Sequence, residues 1–176
     1  VTVEVVCADA RGMDELDDPP IDVERWRTLA IQALVEEGVD GELTLTFVDR
    51  DEIAELNAEH MGRAGPTDVL SFPLDADPGV EPADGPARGA ASLEAVPRLL
   101  GDVVISPAVA AEQCPEHAGT LDDELALLVV HGILHVLGHD HAEPAAASRM
   151  RDRERSLLRA HHWHGDPPAA FRHDHA

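Results

Sequence analysis

The chain has 176 residues and a mass of 18.9 kDa, the size of one ordinary domain with room for a sizeable core. Its 35 acidic residues face 13 cations, all of them Arg, for a formal net charge of −22. That balance excludes the usual nucleic-acid binder with a basic face and a peripheral membrane protein built on basic contacts to lipid. The 44% hydrophobic content excludes an acidic disordered chain.

In chain order, Val1 to Cys7 reads as a β-branched strand, followed by an acidic, proline-ended loop from Asp14 to Pro20. A helix is predicted over Val23–Glu37, with Asp22 as N-cap, Trp26, Leu29, Ala30, Ala33 and Leu34 on one face, and Gly38 past its end. Gly41 to Val48 alternates as a strand, with Leu43, Leu45 and Phe47 on one side. Asp51 to His60 is a short helix, and Thr67 to Phe72 a strand stopped by Pro73. Residues 75–98 hold four Pro and three Gly with little periodicity, which predicts a mobile loop inserted within the domain. Gly101 to Ser106 resumes the sheet, and Ser106-Pro107 opens a short helix towards Gln113. Thr120 caps a longer helix, Leu121–Leu137, whose first-turn acids Asp122, Asp123 and Glu124 suit the helix dipole. A last helix runs from Pro144 to His161. Intermingled strands and helices without a βαβ repeat predict a single α+β domain over residues 1–160, and residues 161–176 are expected to be a disordered His-rich tail.

No apolar stretch reaches the roughly 18–20 residues of a membrane span, and Val1 to Ala10 lacks the pattern of a secretory signal. Cys7 and Cys114 form no framework and are expected to be free thiols of a cytoplasmic protein.

The charge is unevenly spread. Residues 131–176 carry six Arg and six acids, so the whole excess lies before them, and they also hold nine of the eleven His. Within them stands the string His131-Gly132-Ile133-Leu134-His135-Val136-Leu137-Gly138-His139-Asp140-His141. His131 and His135, four apart on a helix, project from one face and can share a metal. Gly138 can turn the chain so that a third His returns to the same point. His141 is the expected third ligand, with His139 as its competitor. Three neutral nitrogen ligands favour one zinc ion and leave a fourth position for a water, the arrangement of a catalytic site. The spacing matches the metzincin protease motif HExxHxxGxxH, except that Gly132 occupies the place of the Glu that serves as general base.

The same string resembles the HGxLHxxGxDH signature of the YbeY family of bacterial endoribonucleases. Pro66-Thr67-Asp68-Val69-Leu70-Ser71-Phe72-Pro73, Leu100-Gly101-Asp102-Val103-Val104-Ile105 and Leu56-Asn57 agree with it in order, so the resemblance covers about residues 20–160. It implies a zincin-like fold, a mixed β-sheet flanked by helices with the metal site on a central helix, and zinc held by His131, His135 and His141. It further implies cleavage of single-stranded ribosomal RNA, in maturation of the small-subunit 3′ end and in ribosome quality control, with the ribosome or small-subunit assembly factors as partners. Where the family has an Arg shortly after the Leu-Asn pair this chain has Met61, and Arg63 is the candidate to replace it. Where the family usually has Tyr before the Asp-His pair, this chain has His139.

Asp140 is a second candidate for a part in catalysis, orienting a ligand imidazole, with capping of the turn after Gly138 as the alternative. The resemblance places Thr67, Asp68 and Ser71 on a strand near the cleft, with capping of a turn after Pro66 as the alternative for Asp68, and Asp102 is expected in a structural hydrogen bond. Arg151, Arg155 and Arg159 recur every four residues, a stripe suited either to phosphates or to pairing with the acidic remainder of the protein. Two other functions fit the residues: a metalloprotease using another base, and a non-catalytic zinc-binding ribosome assembly factor.

Overall fold

The computed structural model describes residues 2–12, 18–74 and 98–173. Among these, four strands and five helices run in the order β1 (Val3–Asp9), α1 (Val23–Glu36), β2 (Gly41–Phe47), α2 (Arg50–Met61), β3 (Val69–Pro73), β4 (Leu99–Ile105), α3 (Pro107–Gln113), α4 (Leu121–Val136) and α5 (Pro144–His161). The expected insertion at 75–98 lies outside the described residues except for Arg98, as does most of the acidic loop at 14–20.

The strands form one mixed sheet in the order β1-β2-β4-β3. β1 and β4 both run parallel to β2, and β3 closes the edge antiparallel to β4. The α+β class with a mixed sheet and flanking helices is therefore what the chain adopts.

Local chemistry sets most boundaries. Asp22, Asp49 and Thr120 each accept a backbone N–H from the first turn of α1, α2 and α4. Pro107 and Pro144 open α3 and α5, although the Ser106 hydroxyl, fully buried, makes no capping bond. β4 begins two residues earlier than its pattern suggests. A register shift opposite Glu42 and Leu43 inserts Leu100 as an extra residue, which restores it to the face shared with Val103 and Ile105. Gly101, at φ 154°, permits this, because a Cβ there would stand 2.4 Å from the Phe72 carbonyl.

The two faces of the sheet bury different clusters. Leu43, Leu45, Phe47, Val103 and Ile105 pack against α1 and α4, and Met150, Leu157 and Leu158 of α5 close the same core. On the opposite face Leu70 and Val104 meet Ile53 and Leu56 of α2. α4 is the central helix, packed on β3, β4, α1, α3 and α5. Burial of most of its side chains follows from an apolar run, Leu125–Val130, that has no polar stripe to face water.

The tail differs from expectation. Residues 162–173 dock onto the domain instead of trailing in solvent. Trp163 and Phe171 pack on the core and on each other, edge to face with centroids 4.6 Å apart. Asp123, one of the first-turn acids that suit the helix dipole, is 7% exposed and accepts hydrogen bonds from Trp163 Nε1 (2.7 Å), His162 Nε2 (2.8 Å) and Thr120 Oγ1 (2.8 Å). The Arg172 N–H donates to the His117 carbonyl at 2.9 Å. Two aromatic rings in a polar, His-rich segment were enough to hold it down. Cys7 and Cys114 are both free thiols.

Candidate metal centre and its cavity

His131 and His135 rise from one face of α4, one turn apart, with ring centroids 4.5 Å apart. Beyond the helix end Gly138, at φ 92°, reverses the chain, its N–H bonding the His135 carbonyl while the His139 N–H bonds that of Leu134. This turn brings His141 back, its ring 4.9 Å from that of His135 and 5.8 Å from that of His131. One ligand nitrogen from each of the three lies within 4.8 Å of the others. His139 stays outside the trio and contributes its backbone instead.

Two of the three tautomers are fixed by partners that can only accept. His135 Nδ1 lies 2.9 Å from the His139 carbonyl oxygen, and His131 Nδ1 lies 2.7 Å from Glu154 Oε1. Each Nδ1 must therefore carry the proton, which leaves the Nε2 lone pair for an ion. Burial, then the neighbouring His131 and His141, hold His135 down to about 4, so it is neutral at physiological pH. Glu154 is 2% exposed. Burial alone would raise its carboxyl, but hydrogen bonds from His131 and His173 prevail and bring it to about 2. Three imidazoles within reach of one point, two of them oriented by their Nδ1 partners, are the donor set of a zinc-type ion, and this site fits one.

Glu154 is not among the residues that the sequence singles out. Its signal was position: it shares the buried face of α5 with Met150, Leu157 and Leu158. Asp140, in contrast, is exposed, and its Oδ1 accepts the N–H groups of His141 (2.6 Å) and Ala142 (3.0 Å). Those bonds, that from Ala142 first, lower its carboxyl. It caps the turn that delivers His141.

A cavity of about 670 Å³ opens over the trio. One wall is the edge strand β3, whose alternation aims Val69, Ser71 and Pro73 at it; Thr67 and Asp68 lie just before them. Asp68 Oδ1 accepts the Val69 N–H at 2.9 Å and so starts that strand. Met61 and Arg63 line a second wall. Met61 ends α2 and Arg63 sits on the turn after it, where Gly62 is left-handed, and buried Asn57 holds the turn by donating to the Gly65 carbonyl at 2.9 Å. Arg63 thus shares the cavity with the His trio, whereas Asp102 pairs within the sheet against Thr44 and Phe72. Gln113 and His117 close the far end.

Gly132, between the two helical ligands, is where α4 meets the sheet. A Cβ there would stand 2.5 Å from Val103 Cγ1, and the Ser71 hydroxyl donates to the Gly132 carbonyl at 3.2 Å. A Glu side chain has no room at this position.

A family model described as Endoribonuclease YbeY matches residues 13–162. Proteins named Endoribonuclease YbeY are similar to this chain: that of Salinispora tropica is 46% identical over 78% of this chain and 87% of its own length. The one from Mycolicibacterium vanbaalenii is 37% identical over 99% and 86%. Among solved structures, the solution structure of TM1509 from Thermotoga maritima aligns with a TM-score of 0.49 at 21% identity, over 96% of this chain and 99% of that one.

Proposed function

The chain belongs to the endoribonuclease YbeY family, and from that premise we propose that it is a zinc-dependent endoribonuclease of the cytoplasm that cuts single-stranded ribosomal RNA. Its place in the cell, on this reading, is maturation of the small-subunit 3′ end and ribosome quality control, working with the ribosome or its assembly factors. The observation that carries the reading is the trio of converging imidazoles opening onto a cavity that Arg63 also lines.

When bound, the ion supplies a Lewis acid for a phosphoryl oxygen and lowers the pKa of a coordinated water. The chain's own groups do the rest. Glu154 and the His139 carbonyl orient the ligands, Asp140 holds the turn that brings His141 in, and Arg63 offers a cation to phosphate. Gly132 excludes only the ordinary form of the protease alternative. The usual Glu base would have to occupy space that Val103 already fills, so a protease would need its base from elsewhere in the cavity. No helix among the described residues is long and apolar enough to cross a membrane.

Purified protein and His131→Ala are to be compared for bound zinc and for cleavage of a single-stranded ribosomal RNA fragment and a denatured protein. Zinc near one equivalent and RNA cutting that disappears in the variant are expected. RNA cleavage undiminished in His131→Ala would sink the metal mechanism, and cutting of protein alone would restore the protease. Bound zinc with neither polymer cut would make the chain an assembly factor.

A further inference from the structure

One carboxylate ties the metal centre to the C-terminal segment. His131 Nδ1 donates to Glu154 Oε1 at 2.7 Å, and His173 Nε2 donates to Oε2, the other oxygen of the same group. The contact is enclosed: Glu154 is buried, and 5% of the His173 side chain reaches solvent. An ionised carboxylate only accepts, so each imidazole places a proton on its bond. For His173 that bond is the ring's one hydrogen bond among the described residues, since its Nδ1 is buried without a partner.

The segment that carries His173 is held on both sides of the contact. Trp163 and Phe171 pack on the core, the Phe171 N–H bonds the Pro168 carbonyl at 3.0 Å, and the Arg172 N–H bonds that of His117. The Phe171 ring lies beside the imidazole, with centroids 5.6 Å apart. Glu154 itself hangs from α5 by three rotatable bonds, and a donor at each oxygen fixes its plane. Without His173, Oε2 would be a buried charged oxygen with no partner, which costs more than turning towards another donor or drawing in water. Either movement takes Oε1 off His131 Nδ1, and the Nε2 lone pair loses its aim.

We propose that His173 is a positioning residue of the metal centre: through Glu154 it holds His131 ready for the ion, so docking of the C-terminal segment and zinc binding strengthen each other. The inference rests on the reading of the trio as a zinc site. Linkage makes the effect reciprocal. With His131 fixed by an ion, Glu154 is fixed too, and with it the acceptor on which His173 docks.

The test titrates the full chain, prepared without metal, with zinc against a chromophoric chelator. His173→Leu removes the donor at similar volume, and zinc affinity should fall about 10-fold, the lower end for loss of an orienting partner. His173→Gln, whose amide N–H can stand in the place of Nε2, should recover most of that loss. In a Glu154→Leu background, His173→Leu should change affinity less than about twofold further, because the route through the carboxylate is already cut. Asp49→Ala removes the cap of α2 and controls for lost stability, so it should keep the wild-type affinity. Hydrogen exchange at the Phe171 and Arg172 amides should slow about fivefold or more when zinc is added to wild type, and should not respond in His173→Leu. Affinity of His173→Leu within about twofold of wild type, an equal loss in Asp49→Ala, no recovery in His173→Gln, or tail exchange indifferent to zinc overturns the assignment. A wild-type chain that binds no zinc overturns the reading of the trio itself, and this inference falls with it.

Discussion

Glu154 decides which nitrogen of His131 faces the cavity, and it does so from another helix. Its carboxylate also receives His173, so one buried charge serves both a ligand and the docked tail. Glu154→Gln keeps the volume and an acceptor oxygen but removes the charge, and zinc affinity should fall about 10- to 100-fold. Competition with a chromophoric chelator would measure this, and an unchanged affinity would show that His131 needs no orienting carboxylate. His135 makes a separate prediction. Its imidazole stays neutral down to about 4 in the fold and takes a proton near 6.5 in the unfolded chain. Between those values the unfolded chain binds the extra proton, so stability falls as pH falls across that window and levels off below it. Metal-free wild type should lose on the order of 1 kcal/mol more than His135→Asn between pH 7 and 4.5, the partly solvated ring moderating the effect. Urea melts at the two pH values provide the check, and equal losses would mean that His135 titrates as an ordinary exposed histidine.

Helix caps and periodicity are local chemistry, and the elements governed by them were legible. α1 starts at Asp22, α4 follows Thr120 and α5 begins at Pro144, as their residues dictate. His131 and His135 were legible for the same reason, since four residues on a helix fix their relation without reference to the rest of the fold. What the sequence hid was long-range: Glu154 meeting His131 across 23 positions, and Asp123 meeting Trp163 across 40. Composition misled at the tail, where His, Gly and Pro outnumber the two rings that anchor it. Ending the chain at His161 should therefore cost stability, not merely trim a loose end. The deletion exposes core surface now covered by Trp163 and Phe171 and strips Asp123 and Glu154 of partners, a loss of about 3 kcal/mol or more. Trp163→Phe should keep most of the packing and lose about 1 kcal/mol for the missing bond to Asp123. Denaturant midpoints would rank the three proteins, and a truncated chain as stable as the full one would deny the tail any structural role.

Across the whole molecule, the excess of 22 negative charges has to coexist with a polyanionic substrate. The fold divides its few cations between two tasks. Arg153 reaches Glu36 and Glu37 at the end of α1, and Arg159 pairs with Asp166, so these are committed to binding the acidic body together. Arg151 and Arg155 are exposed on α5 and make no ion pair among the described residues, while Arg63 lies in the cavity. Of the Arg stripe, two members are thus available to phosphate and the third is already paired. Each phosphate contact on single-stranded RNA adds about 0.7 to the slope of log affinity against log salt. Replacing Arg151, Arg155 and Arg159 together with Gln should therefore flatten that slope by about 1 to 2, and replacing Arg159 alone should barely change it. Fluorescence anisotropy on a labelled RNA between 50 and 200 mM salt would give both slopes. An unchanged slope in the triple variant would assign the stripe to solvent and leave Arg63 as the cation that meets the strand. Either way the acidic remainder repels RNA at long range, most strongly at low salt where its charge is least screened. Binding to a free strand should accordingly stay weak, which accords with the proposal that the RNA it cuts is presented by a ribosome.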